Sequence, residues 1–240
     1  VAGARLRPGP TGGVRVTHRI VTSIDRPPRE TVAAFESFSA PLVSDVMGTG
    51  RGTMDAGIEP TFEAASVVGP AVTVDAAPGD NLVLHRALQL AAESDVLVVD
   101  ADGYSEAGIW GELMSLTAQR MGVAGTVVDG GVRDVRETTE LGYPLFTRHV
   151  SPKGSTKRQP GSINVPITCG GTTVSPGDVV VADADGVAVV PKSETEDVLA
   201  ACRNKRDAEA EMRTAADTPA HFEDAFDEVL APFEEADPEG

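Results

Sequence analysis

Aromatic side chains are scarce in this chain: seven Phe, two Tyr and one Trp make up 4% of 240 residues. A core must therefore be built from Val, Ala, Leu and Ile. Cysteine is nearly absent as well. Cys169 and Cys202 stand far apart with no Cys-x-x-Cys or Cys/His spacing, which argues against a disulfide framework or a zinc site and leaves free, buried thiols as the expectation. Positive charge is short, with 20 Lys and Arg against 37 Asp and Glu, a net charge of −17. A chain that acidic is a poor candidate for coating a phosphate backbone, so nucleic acid is not an expected partner. No run reaches the ~18–20 apolar residues of a membrane span. The opening residues, VAGARLRPGPTGG, lack the hydrophobic core of a secretion signal. The expectation is a soluble, cytoplasmic protein that does not engage a membrane.

What is present is enough to fold. Hydrophobic residues are 41% and charged residues 24%, a balance that excludes wholesale disorder. The length fits one domain with appendages. The acidity is uneven: from Asp207 onward twelve acids face one base, Arg213, giving that stretch −11 and residues 1–206 only −6. Arginine outnumbers lysine sixteen to four. The chain divides into an extended, Gly/Pro/Arg-rich arm (1–30), a single folded domain (31–216) and an acidic tail (217–240). That tail is expected to be solvated and partly helical, since HFEDAFDEVL has helical spacing.

Short helices are expected over TVAAFESF (31–38) and PLVSDVM (41–47). From Ser66 the pattern alternates: strand (SVVGPAVTVDA), turn (Gly79-Asp80-Asn81), helix (LVLHRALQLAAES) and a short buried strand (VLVVDA). A helix over 111–122, a strand over AGTVVDGG, a helix over VRDVRETTELG and a strand over YPLFTRHV come next. Strands separated by helices of this length imply βαβ crossovers and a largely parallel sheet. After Ser151, VPITCGGTTVSPGDVVVADADGVAVVP has the short strands and Asp-Gly turns of β-hairpins. A long amphipathic helix runs from Ser193 to about Ala216. The fold class is α/β, a parallel core packed with a small hairpin-rich β layer. VVDADG (98–103) and VADADG (181–186) echo each other.

Four clusters could carry chemistry. Asp183-Ala184-Asp185-Gly186 reads as a hairpin turn, because a calcium loop would need a Glu at a distance where none stands. Asp100-Ala101-Asp102-Gly103 follows a strand, at the sheet edge where open α/β proteins place their sites. Asp129-Gly130-Gly131-Val132-Arg133-Asp134 ends another strand, and its glycines let backbone approach either a ligand or a neighbouring element. Arg133 beside Asp134 can hold a carboxylate and a divalent cation side by side. Asp134 with Glu137 three residues on equally reads as a capping pair for the next helix. In Gly108-Ile109-Trp110-Gly111-Glu112-Leu113-Met114, a helix start offers backbone N–H groups to an anion. Glu112 there can also serve only the helix dipole. Both this segment and Arg133-Asp134 follow parallel strands and should reach one edge.

Glu112, twenty intervening residues and then Arg133-Asp134 resembles the Asp-x20-Arg-Asp signature of the RraA-like family, which includes class II pyruvate aldolases. VVGPAVTV, GDN with His85 four residues on, VLVVD, RMGVAGTVVDGGVRD, LGYPLF, SPKGS and PGDVVVADADGVAVVP extend the likeness over roughly residues 40–200. Glu112 stands where the signature has Asp, one methylene longer.

The resemblance implies a layered αββα fold in homotrimers or homohexamers, with sites between subunits. It implies Mg²⁺ or Mn²⁺ as cofactor, bound by Asp134, with Glu112 holding a metal-bound water. Glu209 of a neighbouring subunit's C-terminal helix would complete the outer shell, with Glu211 in reserve. Arg133 would contact the ketone or carboxylate oxygens of a pyruvyl group, and the amides around Gly111, Glu112, Leu113 and Met114 its carboxylate. Asn81 and His85 would line the distal pocket. His85 on the apolar stretch LVLHRALQL can equally be a packing residue.

The implied reaction cleaves a 4-hydroxy-2-oxo acid to pyruvate and an oxo acid through an enolate that the cation and Arg133 stabilise. Oxaloacetate decarboxylation is its companion. No lysine sits in the Glu112 and Arg133-Asp134 motifs, which argues against a Schiff-base aldolase. The competing readings are a non-enzymatic regulator that binds a ribonuclease, as the family's name-giving branch does, and a different lyase or hydrolase on the same site. A methyltransferase finds no support, because no glycine-rich nucleotide loop follows the first strand.

Overall fold

The protein's structure, a computed structural model, describes residues 18–48 and 50–215. The acidic tail and its expected helix lie outside these residues, as does most of the N-terminal arm. From His18 to Pro28 the chain is extended and tied down. Asn164 Nδ2 donates to the Val21 carbonyl at 2.8 Å, and Arg26 pairs with the fully buried Asp95 at 2.7 Å. Two short helices come next, α1 (Arg29–Ala34) and α2 (Ala40–Met47).

The heart of the fold is a run of βαβ units. Strands β2 (Val67–Asp75), β3 (Val96–Trp110), β4 (Gly125–Val132) and β5 (Leu145–Val150) are parallel neighbours in that order, and the two-residue β1 (Glu59–Pro60) borders β5. The crossovers are α3 (Leu82–Leu90), α4 (Glu112–Arg120) and α5 (Val135–Glu140). On one face of the sheet Val72, Val74, Leu97, Val99 and Val128 pack on Leu84, Ala87 and Leu88 of α3 and on Met114 and Ala118 of α4.

The opposite face meets the hairpin layer. Strand β6 (Ser162–Ile163) pairs with β2, while β7 (Ile167–Cys169) and β8 (Thr172–Val174) form one hairpin, and β9 (Val179–Asp183) and β10 (Gly186–Val190) another. Ala71, Val96, Val98, Val127 and Phe146 pack there on Val180, Ala182, Val187 and Val189. The alternate residues of the same hairpin, Val179, Val181, Ala188 and Val190, cover Phe35, Val43, Val198, Leu199 and Cys202 of the outer helices, which include α6 (Thr195–Ala215). Successive strand residues point to opposite faces, so a strand buried on both sides reads as an unbroken apolar run. Four layers result, αββα.

The hinge between the two β layers is β2. Val67–Pro70 pairs antiparallel with β9, whereas Ala71–Asp75 pairs parallel with β3. Pro70, which has no N–H to donate, falls where the strand changes partner. Both cysteines are free and buried.

One expectation is corrected. The VLVVDA strand does not stop at Ala101 but continues beside β4 to Trp110, with register shifts that place Asp100 opposite Asp129, Tyr104 opposite Gly130 and Gly108 opposite Gly131. Among the described residues no helix is long and apolar enough to cross a membrane.

Candidate active site at the ends of strands β3 and β4

The two motifs meet because their strands end together. Trp110 and Val132 are the last paired residues of β3 and β4, and the Arg133 N–H donates to the Trp110 carbonyl at 2.8 Å. Trp110 is fully buried. Its ring stacks on Tyr143 at 6.4 Å between centroids, and its Nε1 donates to Ser115 Oγ at 2.9 Å. Tyr143 in turn shares a 2.8 Å hydrogen bond with Thr126. Two of the chain's ten aromatic side chains thus form a floor under the strand ends.

Asp134 precedes α5 but does not cap it. Its backbone is left-handed, with φ 54° and ψ 39°, and its side chain makes no bond to that helix. Left-handed geometry costs a non-glycine residue about 1–3 kcal/mol. Here it turns the carboxylate across to α4, where Oδ2 accepts the Glu112 N–H at 3.3 Å and lies 3.4 Å from Arg133 Nε. The capping-pair reading of Asp134 and Glu137 is thereby overturned. Gly111 makes the approach feasible, since a Cβ there would stand 2.5 Å from Asp134 Oδ2.

Asn81, His85, Gly111, Leu113, Met114, Arg133 and Asp134 all line one cavity of about 250 Å³. Glu112 does not. It joins Asp134 through its main chain, and its side chain is not part of the lining. The anion-binding helix end is also narrower than expected. The Glu112 N–H is turned to Asp134 and the Met114 and Ser115 N–H groups to the Gly111 carbonyl, which leaves Leu113 as the donor of the first turn.

Asn81 is buried. Its Nδ2 donates to the Ile109 carbonyl at 3.0 Å, while its Oδ1 has no partner, a cost of about 1–3 kcal/mol. His85 belongs to the exposed face of α3, whose packing residues are Val83, Leu84, Ala87 and Leu88, so it is not a core histidine. Burial and then the charge of Lys157 hold its pKa below the ordinary imidazole value.

The sequence reading missed Gly154, Ser155 and Lys157, which enter the same cavity from the segment joining β5 to β6. The signal was available: two of the four lysines fall in SPKGSTK, at 153 and 157. Lys157 lies outside the Glu112 and Arg133-Asp134 motifs, in which no lysine stands, yet it lines the cavity. Behind this segment stands the buried Asp80, which accepts hydrogen bonds from the Leu82 N–H (2.9 Å), Thr156 Oγ1 (2.6 Å), the Arg158 N–H (2.7 Å) and the Gln159 N–H (3.1 Å). Burial alone would raise the Asp80 carboxyl pKa, but these bonds hold it below the usual carboxylate value.

The Asp100-Asp102 cluster faces a different cavity, with Asp75 and His18. Burial first, and then the charges of Asp129, Asp75 and Asp102, raise the Asp100 pKa. Gly130 and Gly131 approach β3 rather than a ligand: a Cβ on Gly131 would lie 2.5 Å from the Ala107 carbonyl. Asp129 is bound to Arg148 at 2.5 Å and to the Gly170 N–H at 2.7 Å.

Among the described residues no three His, Cys, Asp or Glu side chains gather to hold a metal. The donor chemistry still suits a small hard cation, because Mg²⁺ is commonly held by one or two carboxylates together with water and substrate oxygens. Asp134, partly exposed on the cavity wall, offers one such carboxylate, and Glu112 joins it through the main chain. Glu209 pairs with Lys205 at 3.6 Å and Arg213 at 3.1 Å on α6, and within one chain neither it nor Glu211 lines the cavity.

The four-layer fold and a cavity walled by an Arg-Asp pair and a helix start define a member of the RraA-like group of α/β proteins. Residues 40–189 match the RraA-like family, described as Aldolase/RraA, and the chain belongs to that family. A candidate 4-hydroxy-4-methyl-2-oxoglutarate aldolase of Halalkalibacterium halodurans is 41% identical over 187 residues, 78% of this chain and 89% of its own. The crystal structure of Streptomyces coelicolor RraAS2, described as an unusual member of the RNase ES inhibitor RraA protein family, is similar with a TM-score of 0.72. It is 31% identical and covers 79% of this chain and 100% of its own. The RNA-processing inhibitor RraA of Thermus thermophilis is similar at a TM-score of 0.59, with 28% identity and coverage of 65% and 93%.

Proposed function

We propose that this chain is a divalent-metal-dependent carbon–carbon lyase, a class II pyruvate aldolase with oxaloacetate decarboxylation as companion activity. It would cleave a 4-hydroxy-2-oxo acid to pyruvate and a second oxo acid. The observation that carries this reading is Arg133 beside Asp134, 3.4 Å apart, on the wall of a cavity closed by the start of α4. The name borne by the Halalkalibacterium halodurans relative supports it.

In this reading Asp134 would hold Mg²⁺ or Mn²⁺ and Glu112 a water of its shell, and the ion would supply Lewis-acid stabilisation of oxygen charge. The pyruvyl carboxylate rests on the Leu113 amide at the helix end. The planar Arg133 guanidinium faces the oxygens of the 2-oxo acid. A base takes the C4 hydroxyl proton, the O–H pair forms the C4 carbonyl, and the C3–C4 pair moves through C3 onto the C2 oxygen. Arg133 then faces more negative charge than in the ground state, the difference that catalysis requires. A proton returned to C3 gives pyruvate. Loss of CO₂ from oxaloacetate leaves the same enolate. Asn81 and His85 bound the distal side, and Trp110 and Tyr143 keep the floor rigid. We further infer that the protein works in the cytoplasm as a homotrimer or homohexamer. Glu209 of a neighbouring copy would complete the metal's surroundings, and Leu113, 71% exposed, would be covered by that copy.

The test is pyruvate release from oxaloacetate and from 4-hydroxy-4-methyl-2-oxoglutarate with Mg²⁺, with Mn²⁺ and with EDTA. Turnover should depend on the cation, vanish in Asp134→Ala and fall by about 10²–10³ in Arg133→Ala. A folded, metal-replete protein that releases no pyruvate would sink the reading. The likeness to RraAS2 and to the Thermus RraA favours one rival, a regulator that binds a ribonuclease. Capture of a ribonuclease by inactive wild-type protein, lost when the acidic tail is removed, would establish that rival instead.

A further inference from the structure

The segment that brings Gly154, Ser155 and Lys157 to the cavity has almost no regular structure and leans on two fastenings. The first is a clamp on the buried Asp80. One oxygen of that carboxylate accepts the Leu82 N–H, and the other accepts Thr156 Oγ1 and the Arg158 and Gln159 N–H groups. The second is β6, which sets Ile163 opposite Val74 and Ser162 opposite Asp75 of β2. A strand of two residues has too few ladder bonds to hold a loop by itself.

The other edge of β6 is covered by the extended N-terminal segment. Ile20 bridges Ile163 in parallel. The Ile163 N–H donates to the Arg19 carbonyl at 2.8 Å, and the Val21 N–H to the Ile163 carbonyl at 3.1 Å. His18 shares a cavity wall with Gln159, Pro160 and Gly161. Strand β6 is thus stitched between β2 and a strap, residues 18–28. That strap runs to the opposite end of the sheet, where it is bolted. Arg26 Nε and Nη2 donate to the two oxygens of Asp95, each at 2.7 Å. Asp95 is fully buried just ahead of β3 and also accepts the Ala92 N–H at 2.6 Å. Between bolt and stitches, Ile24 packs on the core beneath α3 and α4. A two-pronged pair with a fully buried carboxylate does not open without stranding a charge. The bolt is therefore the strong end of the strap, and the stitches on β6 are the weak end.

We propose that Arg26 is a remote positioning residue of the cavity. It holds the strap, the strap holds the edge of β6, and β6 holds the segment that carries Ser155 and Lys157. The inference goes beyond the lyase reading, because it concerns the cavity wall whatever ligand enters. Its kinetic test rests on that reading, and its exchange test does not.

Hydrogen exchange of the full chain tests it in wild type, Arg26→Leu, Arg26→Lys and Val21→Pro. Val21→Pro removes the N–H given to Ile163 and leaves the bolt in place, so it also serves if Arg26→Leu does not fold. Gly186→Ala, in the β9–β10 turn, controls for a general loss of stability. The telling amides are those of Arg158 and Gln159, which are bonded to Asp80 and not to the strap. They should exchange at least about 10-fold faster in Arg26→Leu and Val21→Pro and be little changed in Gly186→Ala. Arg26→Lys, which keeps the charge without the fork, should fall between. Emission of Trp110, the chain's one tryptophan, should stay as in wild type, because the strand ends remain paired. With oxaloacetate and Mg²⁺, KM should rise about 3- to 10-fold with kcat little changed, since the wall is in place for a smaller fraction of the time. Faster exchange confined to 18–28, or spread evenly over β2–β5, would overturn the proposal, as would an unchanged KM in an Arg26→Leu protein that turns over. The expected exchange pattern in a protein that releases no pyruvate would uphold the strap and reject the lyase.

Discussion

The same four residues, Asp-Ala-Asp-Gly, occur twice and do two different things. At 183–186 they turn the chain back on itself, and β10 runs antiparallel to β9 with Asp183 opposite Gly186. At 100–103 they let the chain step sideways and go on, so that β3 continues beside β4 to the cavity. The local hydrogen bond is identical in kind: the Asp102 N–H donates to Asp100 Oδ1 at 2.9 Å and the Asp185 N–H to Asp183 Oδ1 at 3.0 Å. The difference lies in the residues downstream of each copy. VAVV after the second copy must be buried on both faces, and the space for it lies back along β9. YSEAG after the first copy is largely polar and cannot enter a two-sided core. It runs instead along the end of β4, where Gly130 and Gly131 leave room for a slack register. A short turn motif therefore sets a local bend, and the partner strand decides the direction.

The contrast between the two copies is broken most severely at Gly131, where an added Cβ would meet the Ala107 carbonyl at 2.5 Å. Gly131→Ala should push the end of β3 off β4 and cost about 100-fold in pyruvate release, the scale of a misplacement near 1 Å. Gly186→Ala at the other copy meets open space but keeps a φ of 129°, so it should lower stability by about 1 kcal/mol and leave activity alone. Activity and denaturant midpoints of the two variants check this.

An effect smaller than that of Gly131→Ala is expected at the first aspartates. Asp183 Oδ2 also accepts the Ala40 N–H at 2.8 Å, so Asp183→Ala should cost about 1–2 kcal/mol in urea unfolding.

The smallest effect has the opposite sign. The Asp100 pKa is raised in the folded protein, so its ionisation is harder there than in the unfolded chain. The stability this group contributes is present at low pH and is lost as pH rises through the carboxylate range. Asp100→Asn should therefore raise the melting temperature at pH 7, by about 1–3 °C, and the gain should close as the pH is lowered toward 4.

The regular parts of the fold were legible because burial writes a period into the chain. Val179–Ala182 and Val96–Val99 read as strands through unbroken apolar runs, and Leu84, Ala87 and Leu88 mark the inner face of α3. The strand-end position of Arg133-Asp134 and of the Gly111 helix start came from the same alternation. Asp134 was ambiguous because an Asp with a Glu three residues later is written the same way whether it caps a helix or faces a cavity. Only its left-handed backbone decides. The segment carrying Lys157 has no period, and its clamp joins Thr156 to a carboxylate 76 residues away. The second half of β3 looked like loop because Tyr104–Glu106 stay outside the core. The N-terminal segment looked like a free arm because Arg26 finds its buried partner, Asp95, only after folding.

Strand β2 belongs to both β layers, pairing with β9 through Val67–Pro70 and with β3 through Ala71–Asp75. A continuous strand cannot be half melted without exposing both cores, so the cavity layer and the layer under α6 form one cooperative unit. Damage remote from the cavity, in the β9–β10 core, lowers the fraction of molecules with an intact Arg133-Asp134 pair as surely as damage beside it. The chemistry and the bulk of the protein share a single melting event.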